Sequence, residues 1–228
     1  MKSIDQLDLE LCVVELRYDP VYRLWDSVGW IWSSMVAFNP ALKGGAIQPT
    51  QQSFENEFLQ VTIDTTVMRV SGRGPQAVEE VVKNAAWLFE LVCGKVKLES
   101  FTRAGFRDIR TKAFPTPAQA MKFSSFPGEE ESAGLGTGSR RVGFVNSTRF
   151  EGDGAGLQVA LKVEVREISF TLPWESRPFH HLERTKKEWI LVADSDYYTI
   201  GTVERESFDV ETWVRQASKA IQNHWGVL

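Results

Sequence analysis

The stretch FTRAGFRDIRTKAF (residues 101–114) sets Arg103, Arg107, Arg110 and Lys112 among three phenylalanines. In an extended chain successive side chains alternate between faces. Phe101, Arg103, Gly105, Arg107 and Ile109 then share one face. Ala104, Phe106, Asp108, Arg110 and Lys112 share the other. The basic residues are divided between the two faces, whereas a nucleic-acid groove gathers them on one. Gly105 leaves a gap between Arg103 and Arg107 that another group can approach closely. Two guanidinium forks flanking such a gap suit a carboxylate or a phosphate. With 30 Asp and Glu in the chain, an internal carboxylate is the expected occupant.

Upstream, ELCVVELRYDP alternates as a second strand, with Cys12, Val14, Leu16 and Tyr18 on its apolar face and Leu11, Val13, Glu15 and Arg17 on the other. Asp19 is placed to cap a helix with Pro20 at its first position. That helix is expected to run to Phe38 and to bury Val21, Leu24, Trp25, Val28, Trp32, Met35 and Val36, leaving Tyr22, Gly29, Trp30 and Ala37 off the stripe. KGGAIQPTQQS (residues 43–53) is expected to be a polar loop. ENEFLQVTID and TTVMRVSG form a hairpin about Asp64. A second helix starts at Gly74 and Pro75, is covered on two sides because Trp87 and Leu91 lie off its main stripe, and stops at Gly94.

Beyond residue 114, Pro115 and Pro117 break the strand, and TPAQAMKF is a short helix. The segment 127–139, rich in Gly, Ser and Glu, is a flexible joint. Four strands are then expected, RRVGFVNSTRFEG, GLQVALKVEVREISF, KEWILVAD and YYTIGTVERE, before an amphipathic closing helix, DVETWVRQASKAIQNHW. Hairpin-linked strands favour an α+β fold, an antiparallel sheet or two joined sheets with amphipathic helices packed on one face. The chain is one such domain or two halves, 1–126 and 140–228. The echo of RAGF (residues 103–106) in RVGF (residues 141–144), with the repeated element order, raises a pseudo-duplicated strand–helix–strands–helix unit.

A chain of 228 residues, 43% hydrophobic and 25% charged, has the composition of a globular protein with a sizeable core. No run approaches the ~20 apolar residues of a membrane helix. The first residues lack the apolar core of a secretion signal, and there are only two cysteines, so a reducing, cytoplasmic setting is expected. A net charge of −4 argues against nucleic acid as the main partner. Eight tryptophans are many for this length; most are expected in the core, but tryptophan is also enriched at binding hot spots.

Other motifs carry little chemistry. GLGTG (residues 134–138) lacks the flanking strand, helix and Lys-Ser/Thr pair of a phosphate loop, and is expected to be a plain loop. Asp194 and Asp196, in DSD, share a face only if extended. Lying between two predicted strands, they are expected in a turn. His180 and His181, in FHHLER, point apart and sit in no nucleophile pattern. No catalytic residue, metal or cofactor is nominated.

The strand with Thr102, Arg103, Gly105 and Arg107, the hairpin with residues 59–61 and 67–72, and the opening strand with Leu16 and Arg17 resemble an uncharacterised, sporadically distributed family of bacterial and archaeal proteins of similar length. The likeness covers nearly the whole chain in element order. It departs at Asp108, where that family more typically has an aromatic residue, and after Pro115. The resemblance implies no activity and no catalytic residue. Sporadic occurrence would imply a mobile or defence-associated gene.

The leading expectation is a non-enzymatic interaction or accessory subunit of a prokaryotic cytoplasmic complex, in a defence or toxin–antitoxin-like setting. It would contact a protein partner, or a second copy, through Tyr22, Trp30, Arg103 and Arg107. A second reading is a small-molecule binder or enzyme with an aromatic-lined pocket between sheet and helix, using His180, His181 or the arginine pair. A third is nucleic-acid binding through Arg103, Arg107, Arg110, Arg140 and Arg141.

Overall fold

The computed structural model describes residues 4–48, 50–124, 144–152, 154–173 and 181–227, with backbone alone for 46, 47, 144, 167–173, 181–186, 226 and 227. The strands are β1 (Asp8–Arg17), β2 (Lys43–Gln48), β3 (Gln51–Glu55), β4 (Leu59–Asp64), β5 (Val67–Gly72), β6 (Ser100–Phe101), β7 (Arg103–Phe114), β8 (Phe144–Gly152), β9 (Ala155–Pro173), β10 (His181–Thr199) and β11 (Val203–Glu204). The helices are α1 (Val28–Phe38), α2 (Ala77–Val96), α3 (Pro117–Phe123) and α4 (Val210–Val227). Nine strands form one sheet in the order β2-β3-β4-β5-β1-β7-β10-β9-β8, and β6 pairs with β11 apart from it. Every pairing is antiparallel. The fold is α+β.

The sheet order repeats. β1 leads into α1, and the hairpins β2 to β5 return so that β5 pairs with β1 before α2. β7 leads into α3, and β8 to β10 return so that β10 pairs with β7 before α4. The leading strands β1 and β7 meet antiparallel at the centre, and β7 also pairs with β10, so the residues on either side of the 127–139 segment share one sheet. That segment, with GLGTG, Arg140, Arg141 and His180, lies outside the described residues.

One face of the sheet carries the core. Phe54, Val61, Val70, Val14, Phe106, Tyr197 and Leu157 lie directly opposite one another in a single row from β3 to β9. α2 covers this face with Val81, Ala85, Leu88, Phe89 and Val92, and α4 with Val210, Val214, Ala217, Ile221 and Trp225. The stripe at helical spacing in each is what period-3.6 patterning requires. Trp87, off the α2 stripe, stacks on Phe38 of α1 with ring centroids 4.1 Å apart, the second cover expected from the sequence. α2 runs through Gly94 and ends instead at Lys97, whose left-handed φ of 54° closes the helix.

Three local expectations need correction. Residues 43–53 are not a loop but contribute β2 and β3. Polar residues and glycines predominate there, yet Gln52 is buried and Gly44 gives room for the Trp32 ring, which a Cβ would strike. The chain after Val21 begins as a 3-10 turn over Tyr22–Ser27, at three residues per turn, before α1 starts. This shifts the phase, so that Leu24, Ser27, Ile31 and Met35 are buried while Trp25 and Val36 face outward. KEWILVAD and YYTIGTVERE are mostly one strand, β10, and the predicted turn at Asp194–Asp196 does not exist. Neither aspartate breaks the strand because each carboxylate finds an arginine beside it.

Candidate functional site

The face turned away from the core is uncovered among the described residues and carries the charges. β1 presents Leu11, Val13, Glu15 and Arg17 there, β7 presents Arg103, Gly105 and Arg107, and β10 presents Asp194, Asp196 and Tyr198. Glu15 lies between Arg69 of β5 and Gly105 of β7 in direct register. Its Oε1 accepts from Arg17 Nε at 2.6 Å and from Arg103 Nη1 at 3.4 Å. Its Oε2 accepts from Arg69 Nε at 2.9 Å and from Arg69 Nη2. Three guanidinium groups thus converge on one carboxylate.

The same network continues through β7. The Arg103 guanidinium folds over Gly105, where a Cβ would come within 3.2 Å of it. From there Nη2 donates to Asp196 Oδ2 at 2.7 Å. Arg107 grips Asp194 with both Nε, at 2.8 Å, and Nη2, at 2.6 Å, the bidentate fork that guanidinium geometry favours. Arg103 also lies 5.0 Å from the Tyr198 ring centroid, and Arg149 of β8 lies 5.4 Å from it. Tyr198 packs over Gly156, and its hydroxyl donates to Glu151 at 3.4 Å. Gly105 and Gly156 therefore each make room for a large side chain lying flat on the sheet. Both candidate arginines meet carboxylates of their own chain, as expected.

Beside this network runs an open cleft of about 600 Å³. Leu11 and Val13 form its floor, and Arg17, Arg69, Arg73, Arg103 and Arg107 flank it with Glu15 and Asp196. The β3–β4 turn makes one wall, with Glu55, Glu57 and Phe58. Asn56 holds that turn by accepting from the Phe58 and Leu59 amides at 2.9 and 2.8 Å. Phe58 is 62% exposed. The space between sheet and α2, bounded by Val14, Leu16, Met68, Val70, Ala85 and Leu88, amounts to about 10 Å³. At that place there is no room for the aromatic-lined pocket of the second reading.

The buried carboxylates are tuned in opposite directions. Burial pushes the Glu15 carboxyl upward, but the hydrogen bonds and charges of Arg69 and Arg17 outweigh it and hold Glu15 below its usual range. Asp108, on the core face, is also raised by burial. Arg110, bonded to it at 3.0 Å, opposes this without cancelling it, and Asp108 stays above its usual range. Burial pushes both thiols, Cys12 and Cys93, up to about 12, so neither is a thiolate nucleophile.

The other candidates are scattered. Tyr22 and Trp30 lie in the helix layer, on the opposite side of the sheet from Arg103 and Arg107, at 62% and 41% exposure. Trp25, assigned to the core by periodicity, is 45% exposed and packs edge-on against Tyr22. The Lys95 ammonium sits 4.8 Å over the Trp30 ring. Arg110 is on the core face with Asp108, so it does not join Arg103 and Arg107 in one groove. His181 opens β10, described in backbone only. Among the described residues no group of His, Cys, Asp and Glu is placed to hold a metal, and no helix is long and apolar enough to cross a membrane. The chain matches no protein-family model and no curated protein.

Sequence reasoning named Arg103 and Arg107 but missed Glu15, Arg17, Arg69, Arg73 and Tyr198 as their neighbours. One signal was present: Glu15 and Arg17 share a parity with Val13 on a strand whose other parity is apolar. The long-range partners depend on strand order, which single-sequence periodicity does not carry.

Proposed function

We propose that this chain is a non-enzymatic interaction protein, an accessory subunit of a cytoplasmic complex that holds a protein partner through the outer face of α1. The supporting observation is the composition of that face. α1 contains no charged residue, and a helix apolar all round is ordinarily covered on all sides. Here Gly29, Trp30, Ser33, Val36 and Ala37 point outward, next to Tyr22 and Trp25. Exposed aromatics grouped on one element are what hot-spot surfaces consist of. The network offers no free carboxylate as a general base, since Glu15, Asp194 and Asp196 each accept from arginines.

The test is affinity capture from the native host with the tagged chain and with a Trp25→Ser/Trp30→Ser variant. Both side chains are partly exposed, at 45% and 41%, and circular dichroism verifies that the variant is folded. The expected result is a defined partner retained by the wild type and lost from the variant. A monomer on size exclusion that retains nothing in either form contradicts the reading.

A further inference from the structure

The cleft on the open face has an anion-binding character that its own carboxylates do not exhaust. Glu15 takes one nitrogen of Arg17, two of Arg69 and one of Arg103. That leaves the terminal nitrogens of Arg17 and Nη1 of Arg69 without a partner among the described residues, on side chains about half exposed that line the cleft. Arg73 lines the same cleft and is exposed, and among the described residues its guanidinium has no partner. Glu15 holds Arg17, Arg69 and Arg103 close together, so the unused donors are fixed in place before any ligand arrives. The whole protein carries a charge of −4, yet guanidinium groups predominate here.

The shape of the cleft narrows the choice of anion. Arg17 and Leu11 stand six residues apart on one strand, about 20 Å at the rise of an extended chain. Arg17 marks one end and Arg73 the other, with Val13 and Leu11 as an apolar floor between them and Phe58 on the rim. A compact oxyanion would fill only one end. A nucleic-acid backbone, with a charge at every step, would meet Glu15, Asp196, Glu55 and Glu57, which all line the cleft. An extended peptide can place carboxylates at the two arginine ends and apolar side chains over Val13 and Leu11.

We infer that this cleft binds an acidic, partly apolar peptide segment in extended conformation, with its carboxylates on Arg17, Arg69 and Arg73. This rests on the interaction reading above and names a second contact class on the opposite side of the sheet. Recognition of acidic motifs by arginine clusters is a recurrent mode, and its contacts weaken with salt.

The experiment is fluorescence anisotropy of the full chain with a labelled heptapeptide, Glu-Ser-Leu-Ser-Leu-Ser-Glu, whose glutamates and leucines share one face when extended, and with its glutamine counterpart. The expected result is saturable binding of the acidic peptide alone, weakened at least tenfold by Arg17→Gln/Arg73→Gln and at least fivefold between about 20 and 200 mM salt. Both arginines are exposed, and circular dichroism verifies that the variant is folded. Arg215→Gln, on the exposed side of α4 across the sheet, is expected to bind normally. Equal binding of the two peptides, unchanged binding by the arginine variant, or displacement by single-stranded oligonucleotide at lower concentration than by unlabelled peptide would each overturn the inference. A captured host partner with no peptide binding overturns this inference and leaves the α1 reading standing. Peptide binding with no captured partner does the reverse.

Discussion

Two buried carboxylates on neighbouring central strands, Glu15 of β1 and Asp108 of β7, face opposite sides of the same sheet. Both lie almost out of contact with solvent. Glu15 sits below its usual pKa range and Asp108 above it. Burial acts on both in the same direction, so the difference comes from supply. Three guanidinium groups reach Glu15 on the open face. Among the described residues only Arg110 bonds to Asp108 on the core face, and the charges of Asp5 and, from the open face, Asp194 add repulsion. The open face is therefore an ionic surface organised around a stabilised carboxylate, and the core face is an apolar layer that tolerates one strained ion pair.

The contrast predicts that truncation on the core face costs most. Phe106 is fully buried in the row joining β3 to β9, and Phe106→Ala should lower the unfolding free energy by about 3–5 kcal/mol in a urea titration. Loss within a few tenths of that for Val13→Ala, which is opposite Arg107 on the other face of the same strand pair, would dissolve the distinction. Glu15→Ala removes the acceptor shared by three arginines and should cost roughly 2 kcal/mol, reduced from a fully buried pair because Arg17 and Arg69 are half in water. Arg107→Ala breaks an outlying fork with Asp194 and should cost about 0.5–1 kcal/mol.

The sharpest form of the comparison is its pH dependence. Glu15 has a lowered folded pKa, so its stabilisation is complete above the usual glutamate value and is lost as pH falls through the folded one. Asp108 has a raised folded pKa, so its contribution is present below the usual aspartate value of 3.8 and is lost as pH rises through the folded one. Urea titrations between about pH 3.5 and 7 should thus show Glu15→Gln falling further behind the wild type as pH rises, while Asp108→Asn gains on it. Parallel pH curves for the two variants would show that the carboxylates are not differently tuned. The smallest effect is expected at Trp30→Ser, within about 0.5 kcal/mol of the wild type, because the side chain supports little beyond its contact with Lys95.

What was legible in the sequence follows the same division. The β7 alternation was plain because Phe106 and Arg107 differ so strongly, and it placed each basic residue on its correct face. The α2 and α4 stripes were plain for the same reason. Trp25 was misplaced because a 3-10 opening turn changes the phase of everything before Val28, and no residue of YRLWDS announces it. The Asp194–Asp196 pair looked like a turn because aspartates usually break strands. Only the register of β7 against β10 supplies the arginines that neutralise them. The cleft was invisible for a related reason. Its floor comes from β1, its wall from the β3–β4 turn and its charges from β1, β5 and β7, brought together by a strand order that closes β5 onto β1.

The central claim is that Glu15 gathers Arg17, Arg69 and Arg103 into one fixed network. Nuclear magnetic resonance of the arginine Nε–Hε groups tests it most directly. At neutral pH the Arg17 and Arg69 Hε signals should be resolved, shifted from free arginine and slow to exchange, and Glu15→Gln should move both toward the free position while leaving the Arg107 signal, held by Asp194, in place. Arg17 and Arg69 signals that exchange freely in the wild type, or that do not respond to Glu15→Gln, would contradict it.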